Sequence, residues 1–219
     1  MIRTVIFDMD GVIIDTEPIH HAAFLKLFAE LGIDVSAAEY AGFLGSSTRN
    51  VMQRLVASYS LPQAPETLLQ RKRTLFNQQF DTDPSLDLLP GVRPLLDDIR
   101  QAGLGLVLAS SASKATIKRV FDRFGLAPYF AHVVSGEEFE HSKPDPAIFL
   151  HAAELAGTPV AECVVIEDSA NGVAAAKAAG IYCIGYASPH SEGQDLRLAD
   201  QVISDFSELS AVIIAGLPG

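Results

Sequence analysis

Basic residues are scarce in this chain. Against 27 aspartates and glutamates stand 16 lysines and arginines, a formal net charge of −11 over 219 residues. Nucleic-acid binding needs a basic face, so a polyanionic partner is not expected. A small phosphorylated ligand is not excluded, because local cations and a bound metal outweigh the global field at short range. Cysteine is almost missing: Cys163 and Cys183 each sit in an apolar run, which reads as two buried thiols, not a disulfide framework. No apolar stretch is long enough to span a membrane. The piece Ala-Val-Ile-Ile-Ala near the C-terminus is far too short, and the opening residues do not resemble a signal peptide. The expectation is a cytoplasmic protein with no membrane and no nucleic acid among its partners. Repeats and low-complexity tracts are absent. His21, His132, His141, His151 and His190 lack metal-ligand spacing and read as structural or solvated.

The pattern of what is present divides the chain. Val5, Ile6 and Phe7 form a short apolar run of the kind that makes a fully buried strand. From 16 to 83 the pattern is helical. Ile19, Ala23, Phe24, Leu27, Phe28 and Leu31 recur at three- and four-residue steps until Gly32, and Pro62 and Pro65 break the later helices apart. From 84 onward strands alternate with helices, and Gly103, Gly125, Gly157 and Gly180 each follow a helical run as stops. Asp145-Pro146 reads as an N-cap with proline in the first turn. Strand–helix alternation predicts α/β architecture, a parallel sheet with helices on both faces.

Four segments carry the chemistry. Residues 5–12 read Val-Ile-Phe-Asp8-Met-Asp10-Gly11-Val12. Residues 106–111 read Leu-Val-Leu-Ala-Ser110-Ser111. Residues 142–146 read Ser-Lys143-Pro-Asp-Pro, and 163–169 read Cys-Val-Val-Ile-Glu167-Asp168-Ser169. Three apolar runs thus end in acids or hydroxyls. In open α/β sheets ligands bind just outside the carboxyl ends of the strands. Buried carboxylates that repel one another are costly, and a hard divalent cation with oxygen ligands is the simplest relief. Gly11 lets backbone approach a ligand or turn sharply. Each segment alone fits an ordinary strand end or solvated loop; the set does not.

Together they resemble the haloacid dehalogenase-like hydrolases, and within them the β-phosphoglucomutase-like phosphatase branch. The resemblance implies a Rossmann-like core of residues 1–15 and 84–219 with an inserted helical cap, 16–83. It implies Asp8 as nucleophile and Asp10 as general acid, then base. Ser110 and Lys143 would hold the transferring phosphoryl group. Mg2+ would be bound by Asp8, the Asp10 backbone carbonyl and Asp168, with Glu167 acting through water. Dehalogenase and phosphonate-cleaving branches generally lack the second acid, so Asp10 favours phosphate esters. Gly11 and Ser111 are substrate-side candidates; Ser111, Ser113 and Lys114 equally suit a helix start. Asn171 suits either bracing of the metal loop or helix capping. In the cap, resemblance to β-phosphoglucomutase places a gating histidine near His20, a phosphate-binding arginine near Arg49 and a lysine at Lys72, although Gly45-Ser-Ser-Thr-Arg49 is one residue longer than that pattern. The expected activity is a magnesium-dependent phosphatase acting on a small phosphorylated metabolite, a sugar phosphate foremost. A β-phosphoglucomutase is the alternative, and a non-catalytic phosphometabolite binder the third reading. A monomer is expected, with a dimer as the alternative.

Overall fold

The computed structural model describes residues 1–43, 48–188 and 193–218. Residues 45–47, part of the loop before Arg49, and His190 lie outside them. The chain forms two compact units, Met1–Asp15 with Asp87–Gly219, and Thr16–Leu86.

The first unit is built on a sheet. Its strands are β1 (Thr4–Phe7), β2 (Gly105–Ser110), β3 (His132–Ser135), β4 (Cys163–Glu167), β5 (Tyr182–Tyr186) and β6 (Gln201–Ile203). Among the described residues they make one sheet in the order β3-β2-β1-β4-β5-β6, with every neighbouring pair parallel. The chain lays β2 and β3 on one side of β1 and then crosses to lay β4, β5 and β6 on the other. That reversal between β1 and β4 is the topological switch point, where this architecture leaves a crevice. Register brings the strand ends level: Phe7 pairs with Leu108 and Ile166, and Ser110 with Ser135.

In the second unit, α1 (Glu17–Leu31), α2 (Ala37–Ala41), α3 (Thr48–Tyr59) and α4 (Pro65–Thr82) contain no strand among the described residues. Pro18 and Pro65 stand in the first turns of α1 and α4, where a missing N–H costs nothing. The i, i+4 rows Ile19-Ala23-Leu27 and Phe24-Phe28 of α1 are buried, as are Leu68, Leu69, Leu75, Phe76 and Phe80 of α4, the helix that α1 and α3 pack against.

The sheet is covered by α5 (Val92–Gln101), α6 (Lys114–Phe124), α7 (Ala147–Leu155), α8 (Ala170–Ala178) and α9 (Ala211–Ala215). Ile6, Val107, Ala109, Val165 and Cys183 pack with Ile148, Phe149 and Ala152 of α7 and Val173 and Ala176 of α8. Side chains alternate across a strand, so Phe7 points the other way. There it meets Phe130 edge to face at 6.2 Å, and Phe130 meets Phe121 of α6 at 5.4 Å. Cys163 and Cys183 are free and fully buried. Burial pushes their thiols up to about 11 and about 12, so both stay protonated and inert at neutral pH. Asp145 departs from the expected cap. Its Oδ1 accepts from Ala147 N at 2.9 Å, but Pro146 already has helical backbone and Phe149 N bonds to its carbonyl.

Candidate active site

The strand β1 stops at Phe7, so Asp8 and Asp10 are not aligned by strand alternation. A turn brings them together instead. Met9 O accepts from Ile13 N at 2.8 Å and Ile14 N at 3.1 Å, and Gly11 N donates to Ile14 O at 2.7 Å. Asp8 remains anchored to the sheet, its N–H donating to Ile166 O at 3.0 Å. Its carboxylate is buried at the level of the β2 and β4 ends.

Lys143 ties three segments together. Its ammonium donates to Asp8 Oδ1 at 2.5 Å, to Glu167 Oε1 at 2.8 Å and to the Ala109 carbonyl at 3.2 Å. An ammonium has three donors, and all three are used. It also lies 4.8 Å from the centre of the Phe149 ring. With the Lys143 side chain only 6% exposed, this is a buried ion-paired cluster. Burial alone would lower the Lys143 pKa; the Asp8 and Glu167 carboxylates outweigh it and raise the pKa.

Glu167 accepts three hydrogen bonds. Its Oε2 accepts from Ser169 N at 2.7 Å and Ser169 Oγ at 2.9 Å, while Oε1 takes Lys143. A Cβ on Gly172 would lie 1.8 Å from Oε1, so the carboxylate occupies space that only glycine leaves open. Ser169 also caps α8 by accepting from Gly172 N at 3.0 Å, so Asn171, exposed in the first turn, is not the cap. The motif contains Ser169 without assigning it a role. Its signal was a serine three residues before Gly172 at a helix start.

Asp168 stands beside Gly11, where a Cβ would lie 2.0 Å from its Oδ2. Ser110, at the end of β2, is buried, and its Oγ accepts from Ala112 N at 3.1 Å. Its hydroxyl proton has no acceptor among the described residues and remains to be donated. Ser111 is exposed, and Ser113 caps α6 by accepting from Thr116 N at 3.2 Å. Lys114 is the first residue of that helix.

The acids repel. Burial lifts the Asp8 carboxyl to about 7, opposed by Lys143 and helped by Glu167 and Asp10. Burial likewise lifts Asp168 to about 9, with Glu167, Asp8 and Asp10 adding and Lys143 opposing. Among the described residues, no group of three His, Cys, Asp or Glu side chains is placed to hold a metal ion by itself. That donor set does not suit a closed transition-metal cage. It does suit magnesium, which keeps waters and uses one or two carboxylates plus substrate phosphate. Two carboxyls raised by burial and by neighbouring acids, with Gly11 letting the Asp168 carboxylate come in close, fit such an ion.

The cap candidates divide. In the helical unit, the ammonium of Lys72, buried in α4, lies against Nδ1 of His20. It sits 4.9 Å from the Phe24 ring centre and 5.3 Å from that of Phe76. Burial, then the Lys72 charge, lowers His20 to about 3, so its imidazole is neutral. Arg49 on α3 is exposed, its Nη1 3.5 Å from Glu66 Oε1. Of the other histidines, His21 packs on Tyr40 at 4.6 Å, and His151 lies 3.3 Å from Glu154.

Comparison with known proteins agrees with this geometry. The family model for haloacid dehalogenase-like hydrolases matches residues 2–180. Hexitol phosphatase B of Escherichia coli K12 is 33% identical over 222 residues, covering 98% of this chain and 97% of that protein. Beta-phosphoglucomutase of Bacillus subtilis is 28% identical over 218 residues, covering 97% and 93%. A crystal structure of a CbbY variant from Rhodobacter sphaeroides, in complex with xylulose-(1,5)bisphosphate, superposes with a TM-score of 0.88. It is 26% identical and covers 99% of this chain and 100% of that one. The parallel sheet with its acids at the strand ends and the match over most of the length lead to one assignment: the chain belongs to the haloacid dehalogenase-like hydrolases and is a phosphatase-type enzyme of that family.

Proposed function

We propose that the chain is a magnesium-dependent phosphatase that hydrolyses a small phosphorylated metabolite, a sugar phosphate foremost, through an aspartyl-phosphate on Asp8. The observation that carries the reading is Lys143 bridging Asp8 and Glu167 at the switch point of the sheet, beside Ser110. The relatives named as a hexitol phosphatase and a sugar-bisphosphate complex support the substrate class.

In this reading an Asp8 carboxylate oxygen attacks phosphorus, and the ester P–O bond breaks as Asp10 gives its proton to the leaving alcohol. Water then attacks the phosphorus of phospho-Asp8. Asp10 takes the water proton, Asp8 leaves as carboxylate, and inorganic phosphate departs. Lys143 favours the ionised form of Asp8 against the burial that raises its pKa. Ser110 donates its hydroxyl to a phosphoryl oxygen, since the transition state spreads negative charge over those oxygens. Asp8, the Asp10 carbonyl and Asp168 would hold magnesium, with Glu167 acting through water. When bound, the ion neutralises charge on the phosphoryl oxygens. Gly11 and Ser111 border the same loops and are substrate-side positions. Arg49 is proposed to meet the substrate's distal anionic group, with His20 and Lys72 shaping the cap interior. We also propose a cytoplasmic location and a monomer.

The test is a screen of the purified protein with magnesium against phosphorylated metabolites that include β-glucose 1-phosphate, with glucose 1,6-bisphosphate as primer. Release of inorganic phosphate is expected. Rapid conversion to glucose 6-phosphate with little free phosphate would replace hydrolase by mutase and leave the first half-reaction as described. Binding without either product would leave only a phosphometabolite binder.

A further inference from the structure

We infer that the turn Ser135–Glu138, at the end of β3, is a positioning element for the Ser110–Lys114 loop, with Ser135 acting on Ser110 through Ala112. The inference rests on the proposed role of Ser110 in holding a phosphoryl group. It adds residues that the sequence motifs do not include.

The contacts form a chain. Ser135 is buried, 1% exposed, and its Oγ donates to the Ala112 carbonyl at 2.7 Å. The Ala112 N–H in turn donates to Ser110 Oγ at 3.1 Å. Ala112 is thus held on one side by Ser135 and on the other holds the Ser110 oxygen, so the remaining Ser110 proton points from a constrained atom. Ser110 and Ser135 pair in the β2–β3 register, which sets the two strand ends side by side.

Three further contacts press the turn onto the loop. A Cβ on Gly136 would lie 3.0 Å from Ser111 Cα and 3.3 Å from Ser111 O, both backbone atoms that cannot swing aside. Glu137 Oε2 accepts from Lys114 N at 3.1 Å, and Lys114 Nζ lies 3.4 Å from Glu138 Oε1. The turn is itself closed by a capping box, in which Ser135 N donates to Glu138 Oε1 at 3.2 Å and Glu137 N to Ser135 Oγ at 3.3 Å. An ordinary capped turn needs only the last two bonds. The bond from Ser135 to Ala112, the Gly136 approach and the Glu137–Lys114 bond all go to the loop. A transferring phosphoryl group needs donors fixed within a fraction of an ångström, and such precision comes from residues that lock the donor's own loop.

Inorganic phosphate, with magnesium present, is the probe, and calorimetry on the full chain gives its dissociation constant. Ser135→Ala is expected to weaken phosphate about tenfold, and Glu137→Ala, an exposed change that cannot threaten the core, about threefold. In a Ser110→Ala background, Ser135→Ala should add less than about threefold, because residues acting through one contact chain are not additive. A purely structural role would lower the melting temperature and leave phosphate affinity unchanged. Unchanged affinity in both variants, or full additivity with Ser110→Ala, overturns the inference. If Ser135→Ala does not fold, the phosphate affinity of Glu137→Ala decides alone. A chain that shows this coupling but hydrolyses no ester loses the phosphatase reading and keeps this one.

Discussion

Among the described residues two lysine side chains are buried, one in each unit, and their surroundings put them to opposite use. In the sheet unit, Lys143 faces the carboxylates of Asp8 and Glu167, and its charge pulls Asp8 toward ionisation. In the helical unit, the Lys72 ammonium lies against the imidazole of His20 and over two phenylalanine rings, and its charge, after burial, drives His20 to stay neutral. Burial alone does not define what a lysine does. The group placed against it matters: the carboxylates beside Lys143 compensate its charge, while the imidazole beside Lys72 is kept neutral.

The largest effect should come from removing the acid that Lys143 serves. Asp8→Asn keeps the shape and is expected to cut turnover by at least about a thousandfold, with the fold intact by circular dichroism. Retention of a tenth of wild-type phosphate release would exclude Asp8 as nucleophile.

The two lysines are then compared directly. Lys143→Met leaves Asp8 and Glu167 buried without their cation, and breaking such a cluster costs about 3–5 kcal/mol. Lys72→Met puts an apolar chain of similar volume among Phe24 and Phe76 and should cost no more than about 1 kcal/mol. Denaturant melts of the two variants measure this. NMR titration of Lys72→Met should also show His20 rising from about 3 while staying below the ordinary histidine range, since burial, its larger cause, remains. Equal destabilisation by the two changes would erase the contrast.

A pH series sharpens it further. Asp8 and Asp168 have folded pKa values of about 7 and about 9 against an ordinary 3.8. Between these limits the folded chain binds more protons than the unfolded one, so the unfolding free energy falls as pH rises. In chelator the melting temperature should therefore decline from about pH 4 to about pH 9, over and above the rest of the protein. Saturating magnesium should flatten the decline, and Asp168→Ala should abolish most of the magnesium response. An identical slope with and without the ion would remove these acids as its site.

The smallest effect belongs to Arg49. Its ion pair with Glu66 is exposed on both sides, at 62% each, so Arg49→Ala should change stability by less than about 0.5 kcal/mol. A several-fold rise in KM with kcat nearly kept is expected if the guanidinium meets substrate, and unchanged kinetics would confine it to the surface.

Much of this is legible in the sequence. The apolar runs at 5–7, 106–109 and 163–166 read as buried strands because a parallel sheet covered on both faces needs them, and they are strands in one parallel sheet. The 3.6-residue periodicity of α1 and its stop at Gly32, with φ of 66°, were equally plain. The site was legible as residue types only. That a turn closed on the Met9 carbonyl joins Asp8 and Asp10 was not, because the apolar run marks where the strand ends and says nothing of the backbone path beyond it. Nor was Ser135, since Ser-Gly-Glu-Glu reads locally as a capped turn and nothing local says which loop it touches.

The sequence by itself determined the element pattern and the chemical identity of the groups at the strand ends. Both follow from periodicity and backbone preference, which act over a few residues. Only the tertiary structure decided the strand order, which sets β1 between β2 and β4. Only it decided that Lys143, 135 positions from Asp8 in the chain, spends its three donors on Asp8, Glu167 and Ala109, and that Ser135 reaches Ser110 through Ala112. Those pairings arise from parallel register and crossover connections, which bring distant strand ends level while leaving no repeat or spacing in the sequence to announce them.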